Sequence, residues 1–291
     1  MTITFSKRLT TFLCVLWIAL ANQARCQDIE STFRFAQSQY EAGNYDEAIK
    51  SYHRVLFFDR RDRKFTSSAY ERMGDCFRLK TNFKEAANYY DLAYYSYESD
   101  SAQTEMALKK SAAILMTKGF DYALIDLLQM PERLPADQYQ RKELYLGIAY
   151  FGLENFEDAQ KHFLLAVAPS DSATRQAIQS EFNALNKIRI RPKTARILSL
   201  ILPGLGQFYA GDVKNGLNSF VLCNAWLVLG AVIVRNYTLW DGVITAIPWY
   251  QRYYIGGVKR AEEIAALKLQ RKRANIFENL LNHVAQAQLQ R

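Results

Sequence analysis

The segment Gly43-Asn44-Tyr45-Asp46-Glu47-Ala48-Ile49 returns three times, as Asn82-Phe83-Lys84-Glu85-Ala86-Ala87, Gly119-Phe120-Asp121-Tyr122-Ala123-Leu124 and Asn155-Phe156-Glu157-Asp158-Ala159-Gln160. Its alanines, Ala48, Ala86, Ala123 and Ala159, follow one another at steps of 38, 37 and 36 residues, close to the roughly 34-residue period of helix-turn-helix repeats. A near-fixed period of this length means an array of similar units, each of which buries its apolar face only against its neighbour.

Each unit is predicted to be two antiparallel helices. In the second, Tyr70, Met73, Gly74 and Phe77 recur at helical spacing, and Phe83 and Ala86 open a second helix carrying Tyr90 and Ala93. The fourth repeats the pattern with Leu146, Gly147 and Tyr150, then Phe156, Ala159, Phe163 and Ala166. Gly74 and Gly147 are expected where paired helices approach too closely for a larger side chain. The third unit departs from the pattern: Ser111 stands at the small-residue place, Leu127 replaces an aromatic, and Pro131 and Pro135 end the helix early.

Over residues 28–171 these features resemble the tetratricopeptide repeat family, with Ala36, Gly43, Tyr45, Ala48 and Tyr52 of unit one at matching places. The resemblance implies an all-α solenoid of about four helical hairpins that takes a protein or peptide partner along the face of the first helices. Carried onto this chain, that face comprises Phe33, Gln37 and Tyr40, then Glu71, Asp75 and Arg78, then Leu144, Ile148 and Phe151. The plain alternative is that several of these pack against the next helix. No carboxylate dyad stands out, and His53, His162 and His283 lack metal-ligand spacing. The expectation is a non-enzyme with no metal and no cofactor.

The net charge of +8 invites a nucleic-acid reading, but the basic residues gather in the last third beside apolar sequence, from Lys187 to Arg196 and from Lys259 to Arg273. That placement favours an anionic lipid surface and no nucleic acid. At the other end, Lys7 and Arg8 precede an apolar stretch from Phe12 to Ala21, so residues 1–26 read as a signal peptide, with an uncleaved anchor as the alternative. Cys14 and Cys26 fall in this leader, while Cys76 and Cys223 are expected as small buried apolar residues rather than a disulfide.

Composition changes sharply at Ile197. Residues 197–257 read as a helical membrane domain of two or three spans: an interrupted segment from Ile197 to Ala210, a charge-free stretch from Leu217 to Val234, and an aromatic-rich one from Leu239 to Gly257. A buried hairpin of a soluble domain is the alternative. Pro203, Gly204, Gly206 and Gln207 are candidates for helix packing, with Tyr209 and the aromatics around Trp249 at headgroup level. The string Pro203-Gly204-Leu205-Gly206-Gln207-Phe208-Tyr209 resembles a bacterial family of small membrane domains related to the two-transmembrane-helix TM2 group, whose later Tyr-x-Gly-Asn element stands here as Tyr254-Ile255-Gly256-Gly257. That resemblance implies location rather than activity.

Residues 172–196 are expected to be a helical basic linker, and 258–291 an amphipathic basic helix in which Lys268, Arg271, Lys272 and Arg273 meet lipid headgroups. A coiled coil with a second copy, giving a homo-oligomer, or a solvated tail would have the same pattern. Three spans are preferred, with the repeats exported across a bacterial cytoplasmic membrane and the basic tail inside. The functional expectation is a membrane-tethered scaffold or adaptor of the cell envelope. The alternative is a subunit of a transport or insertion assembly, which would use Gln207, Asn218, Asn224 and Asp241 along a path.

Overall fold

The computed structural model describes residues 28–61 and 63–289. The leader expected at residues 1–26, with Cys14 and Cys26, lies outside them. Among the described residues there are thirteen helices and no strand, and the chain divides into two compact units, the first ending at Ala166 and the second beginning at Val167.

The first unit is a helical-hairpin solenoid: α1 (Ile29–Glu41) with α2 (Tyr45–Phe58), α3 (Thr66–Leu79) with α4 (Phe83–Ser96), α5 (Asp100–Met116) with α6 (Phe120–Leu128), and α7 (Ala136–Gly152) with α8 (Phe156–Leu165). The recurring signature is explained by its turns. Gly43, Thr81, Lys118 and Glu154 each adopt a left-handed conformation, with φ of 79°, 59°, 61° and 60°. The following amide, of Asn44, Asn82, Gly119 or Asn155, donates back to the carbonyl of Gln39, Phe77, Ile114 or Tyr150. This is a Schellman closure of the first helix, and the same residue opens the second. Asn82 Oδ1 accepts from the Glu85 amide at 3.3 Å, and Asn155 Oδ1 from that of Asp158 at 3.4 Å, capping free amides of the new helix. One asparagine thus ends one helix and starts the next.

The alanines Ala48, Ala86, Ala123 and Ala159 are fully buried. A β-carbon on Gly74 would lie 2.6 Å from the Tyr90 ring, and one on Gly147 would lie 2.9 Å from Phe163, so these glycines admit the large ring of the paired helix. Between α2 and α3 the buried Asp59 carboxylate accepts from the amides of Lys64 and Phe65 at 3.2 and 2.7 Å and from the Thr66 hydroxyl at 3.1 Å. In the third hairpin α6 has nine residues, ending short of Pro131, and Ser111 is fully buried with its hydroxyl unpaired among the described residues.

A non-glycine residue in the left-handed region costs roughly 1–2 kcal/mol, part of which glycine gives back as unfolded-chain entropy. Thr81→Gly is therefore expected to raise stability by about 1 kcal/mol, because a β-branched residue suffers most there. Lys118→Gly and Glu154→Gly should gain about half as much by the same argument. Thermal unfolding of the three variants tests this ranking; a loss of stability at Thr81 would contradict it.

The second unit contains α9 (Ser172–Asn186), α10 (Pro192–Ile201), α11 (Leu205–Tyr209), α12 (Val213–Asn236) and α13 (Leu239–Leu289). Residues 172–196 hold α9 and the start of α10, and α9 packs on α13, with Asn279 Nδ2 donating to Glu181 Oε1 at 3.1 Å. Residues 258–289 are not a separate helix but continue the apolar segment from Leu239 in one 51-residue helix, with Pro248 inside it. The segment from Ile197 to Ala210 is broken at 202–204, and α10, with ten residues, is about 15 Å long. By itself it is too short for a hydrocarbon core of about 30 Å.

Among the described residues one helix, α12, is long and apolar enough to cross a bilayer, and only 11% of its most apolar stretch is buried. A core helix of a soluble protein would be mostly covered. It forms an antiparallel hairpin with the first half of α13. Thr238 and Asp241 cap the return helix, the Thr238 amide and hydroxyl donating to Asp241 Oδ2 at 3.1 and 2.7 Å.

Candidate functional site

The first helices of the array carry a row of charged contacts that runs from unit to unit. The Arg72 guanidinium stands 5.3 Å from the centre of the Tyr40 ring, joining α1 to α3. Lys109 Nζ on α5 reaches back to Glu71 at 2.8 Å and Asp75 at 3.3 Å. Arg141 on α7 donates to both oxygens of Glu105 at 2.9 and 2.8 Å. The phenols of Tyr90 and Tyr97 complete the middle cluster, donating to Asp75 at 2.9 Å and to Glu71 at 2.5 Å. Burial alone would raise the Glu71 carboxyl, but hydrogen bonds from Lys109 and Tyr97 outweigh it and hold that group below its usual range. Burial and the same bond to Glu71 push the Tyr97 phenol up to about 12.

This geometry sorts the predicted face. Arg78 is exposed, and Gln37, Tyr40, Glu71, Leu144 and Phe151 are half-buried. Asp75 is not an exposed contact residue: it is 4% exposed and occupied by Tyr90, Lys109 and Arg72. Phe33 packs into the first core cluster, its ring 5.0 Å from Phe65 and 5.7 Å from Tyr52. Ile148 packs against Leu115, Ala123 and Ala149, so for these three the plainer packing role holds.

Glu105 and Lys109 belong to unit three, where the family pattern fails and no face residues carry over, while Arg72 and Arg141 belong to units two and four at positions outside the carried-over face. Their signal is the repeat spacing itself: Glu71 to Lys109 and Glu105 to Arg141 are 38 and 36 residues apart. Also unanticipated is an apolar patch on the second helices, where Leu92, Tyr95, Tyr122, Ile125 and Leu128 are exposed. Isolated exposed apolar side chains are ordinary, but a cluster on α4 and α6 is a candidate contact surface. Among the described residues no group of three or more His, Cys, Asp or Glu side chains could hold a metal ion. His162 Nδ1 lies 2.6 Å from Glu143 and its ring stacks on Tyr150, which is a packing role. Burial pushes the Cys76 thiol up to about 12, and Cys76 and Cys223 are both buried and unbridged.

In the second unit, the Pro203–Tyr209 motif makes a joint. Gly204 has φ of 91°, and a β-carbon there would lie 2.3 Å from the Gly216 carbonyl oxygen. Gln207 is 1% exposed; its Nε2 donates to the Gly257 carbonyl at 2.8 Å and its Oε1 accepts from Ser199 Oγ at 3.0 Å. One amide therefore links α10, α11 and α13. The Tyr209 hydroxyl donates to the Arg189 carbonyl at 2.6 Å and accepts from the Arg191 amide at 3.2 Å. The Trp249 ring stacks on Trp226, 5.5 Å away and about half-way along α12, while the exposed aromatics Tyr237 and Trp240 mark the hairpin turn.

The four polar groups of the proposed path are accounted for singly. Gln207 is the joint, Asn224 Nδ2 donates to the Phe220 carbonyl of its own helix at 2.8 Å, Asp241 is a cap, and Asn218 is exposed. Of the lipid-surface candidates, Arg271 and Lys272 are exposed and Arg273 is half-buried, but Lys268 is half-buried and donates to the Ala210 carbonyl at 2.7 Å, closing the end of α11. The apolar stripe of the C-terminal segment, Ile276, Leu280, Val284 and Ala287, is buried within this chain, where α9 packs on α13. These four residues are therefore covered within the chain rather than open to a coiled coil with a second copy.

A family model described as Tetratricopeptide repeat matches residues 30–56, which cover α1, its turn and most of α2. A search of curated proteins finds no match to this chain. With the hairpins that follow, the match makes the first unit a tetratricopeptide-like array, an architecture that binds protein or peptide partners.

Proposed function

We propose that this chain is a membrane-tethered scaffold of a bacterial cell envelope, in which the array captures a protein or peptide while the α12–α13 hairpin holds it at the bilayer. The observation that carries the tether is the bare apolar surface of the hairpin. Leu217, Val221, Leu227, Val228 and Val232 on α12, with Leu239, Ile244 and Ile247 on α13, are exposed, a surface suited to lipid rather than to water. The partner face is the charged row of the first helices, with Gln37, Tyr40, Arg72 and Arg78 as its accessible members. Aromatic and arginine side chains are the types that dominate protein interfaces.

With α12 as one crossing and the first half of α13 taken as the return, residues 187–196 and 259–273 share one side of the membrane. The leader places that side outside the cytoplasm, and the positive-inside tendency opposes it. A reporter fused after Arg291 decides between them: activity of the exported type is expected, and cytoplasmic-type activity would overturn the exported reading. The tether is tested on membranes washed at high salt and alkaline pH, where the full chain should remain in the pellet and a chain lacking residues 197–291 should be released. Release of both would refute it. For the partner face, photo-crosslinking from Gln37 and Arg78 should enrich a captured protein over crosslinking from the outward Lys84; equal capture would remove the assignment.

A further inference from the structure

We propose that the recess at the base of the α12–α13 hairpin is a phosphate-binding site, suited to the headgroup phosphate of an anionic phospholipid or to a soluble phosphate ester. The recess has a volume of about 240 Å³ and is walled by Asn218 and Ser219 of α12 and by Arg252, Gly256, Gly257 and Arg260 of α13. Arg252 and Arg260 are eight residues apart, a little over two helical turns, so they flank the floor from one face of α13. Between them Gly256 and Gly257 present backbone without side chains.

The donors here exceed what the protein uses. Arg252 is exposed and pairs with no carboxylate among the described residues. Arg260 lies 3.4 Å from Glu263 with both side chains about 60% exposed, a pairing that water screens to little effect. Ser219 is 9% exposed, and its hydroxyl has no hydrogen-bond partner among the described residues. The nearby acid, Asp212, is committed elsewhere: it caps α12 through the Asn215 amide at 3.0 Å and side chain at 2.7 Å. Those bonds, with Arg260 and Lys268 adding their charge, hold its carboxyl below the usual range. Two guanidinium forks, a carboxamide and an unsatisfied hydroxyl around one small space match the several acceptor oxygens and the negative charge of a phosphate. Asn218 and Ser219 stand one to two turns into α12, between the exposed Leu217 and Val221 in sequence.

The lipid source rests on the hairpin being inserted as proposed above; the phosphate chemistry does not. In native mass spectrometry of the full chain from detergent micelles, phosphatidylglycerol adducts should exceed phosphatidylcholine adducts by about thirtyfold, the scale expected of two juxtamembrane cations. Arg252→Gln with Arg260→Gln should bring the two lipids level. Arg252→Lys with Arg260→Lys should keep part of the preference, which separates a lost site from a damaged fold. Arg271→Gln with Lys272→Gln should leave the preference intact. Inorganic phosphate and glycerol phosphate, titrated with phosphorus NMR, distinguish the sources: saturable binding lost in the Arg252 and Arg260 glutamine variant supports a soluble phosphate. No preference for either form of phosphate, or an equal loss on changing Arg271 and Lys272, overturns the site. Flotation with phosphatidylcholine vesicles reads insertion separately. A chain that floats but neither prefers phosphatidylglycerol nor binds inorganic or glycerol phosphate refutes the site alone, and one that binds phosphate without floating refutes the membrane reading alone.

Discussion

Gly206→Ala is expected to dismantle the second unit's joint at a cost of roughly 3 kcal/mol or more, at the upper end of what overpacking does. A β-carbon on Gly206 would stand 1.9 Å from the Ala195 carbonyl oxygen and 2.4 Å from Ser199 Oγ. The first neighbour is helix backbone, so relief requires α10 and α11 to part. Parting them removes the bond from the Gly206 amide to Ser199 Oγ and the bond from that hydroxyl to Gln207, each 3.0 Å long. Gln207 is then left buried with half its amide unsatisfied, a further penalty of about 1–3 kcal/mol. Gly256→Ala is the control in the same unit. Nothing lies within 4 Å of its β-carbon position, and in mid-helix alanine is favoured over glycine by about 1 kcal/mol. Hydrogen exchange on the full chain in micelles reads both: amide protection over residues 195–210 should collapse in Gly206→Ala and persist in Gly256→Ala. Unchanged protection in the first variant would show that the joint is not held as described.

The contrast between these glycines shows what could be read from sequence and what could not. The array was legible because its signature does two local jobs at once, closing one helix and capping the next, and local hydrogen bonding repeats whenever the residues do. Gly74 and Gly147 were legible as positions that must stay small, but not the rings they admit, Tyr90 and Phe163. The motif around Gly206 could be picked out, but its purpose depends on Ala195, Ser199 and Gly257, which no periodicity links to it. Likewise the stripe of Ile276, Leu280 and Val284 was visible as amphipathic, while its occupant, α9, was not. A face pattern states that something covers it and leaves the covering element open. Asp75 shows the converse: a carboxylate on the predicted partner face reads as exposed until Lys109, 34 residues away, is brought beside it.

That lysine carries the second large effect. Lys109→Met is expected to destabilise the array by roughly 2–3 kcal/mol, somewhat under the 3–5 kcal/mol typical of breaking a fully buried pair because Lys109 keeps partial solvent access. It leaves Glu71 and the nearly enclosed Asp75 facing one another, with Arg72, 3.6 Å from Asp75, and Arg78 as the nearby cations that remain. Replacing all three, as Glu71→Gln, Asp75→Asn and Lys109→Met, should recover most of the loss, since the penalty lies in the uncompensated charge rather than in missing attraction. The pH dependence follows from the direction of the Glu71 shift. Its folded-state value is depressed below the ordinary 4.5, so its stabilising contribution is complete above that value and fades as pH falls through the depressed one. Denaturant titrations at neutral pH and at successively lower pH should therefore show the wild-type array losing stability below about 4.5, with a shallower decline in the triple variant. In Lys109→Met the carboxylates lose their cation, so acid should narrow the gap to wild type. A gap that stays constant across that range would mean the row of charges is decoration on a fold held entirely by its apolar core.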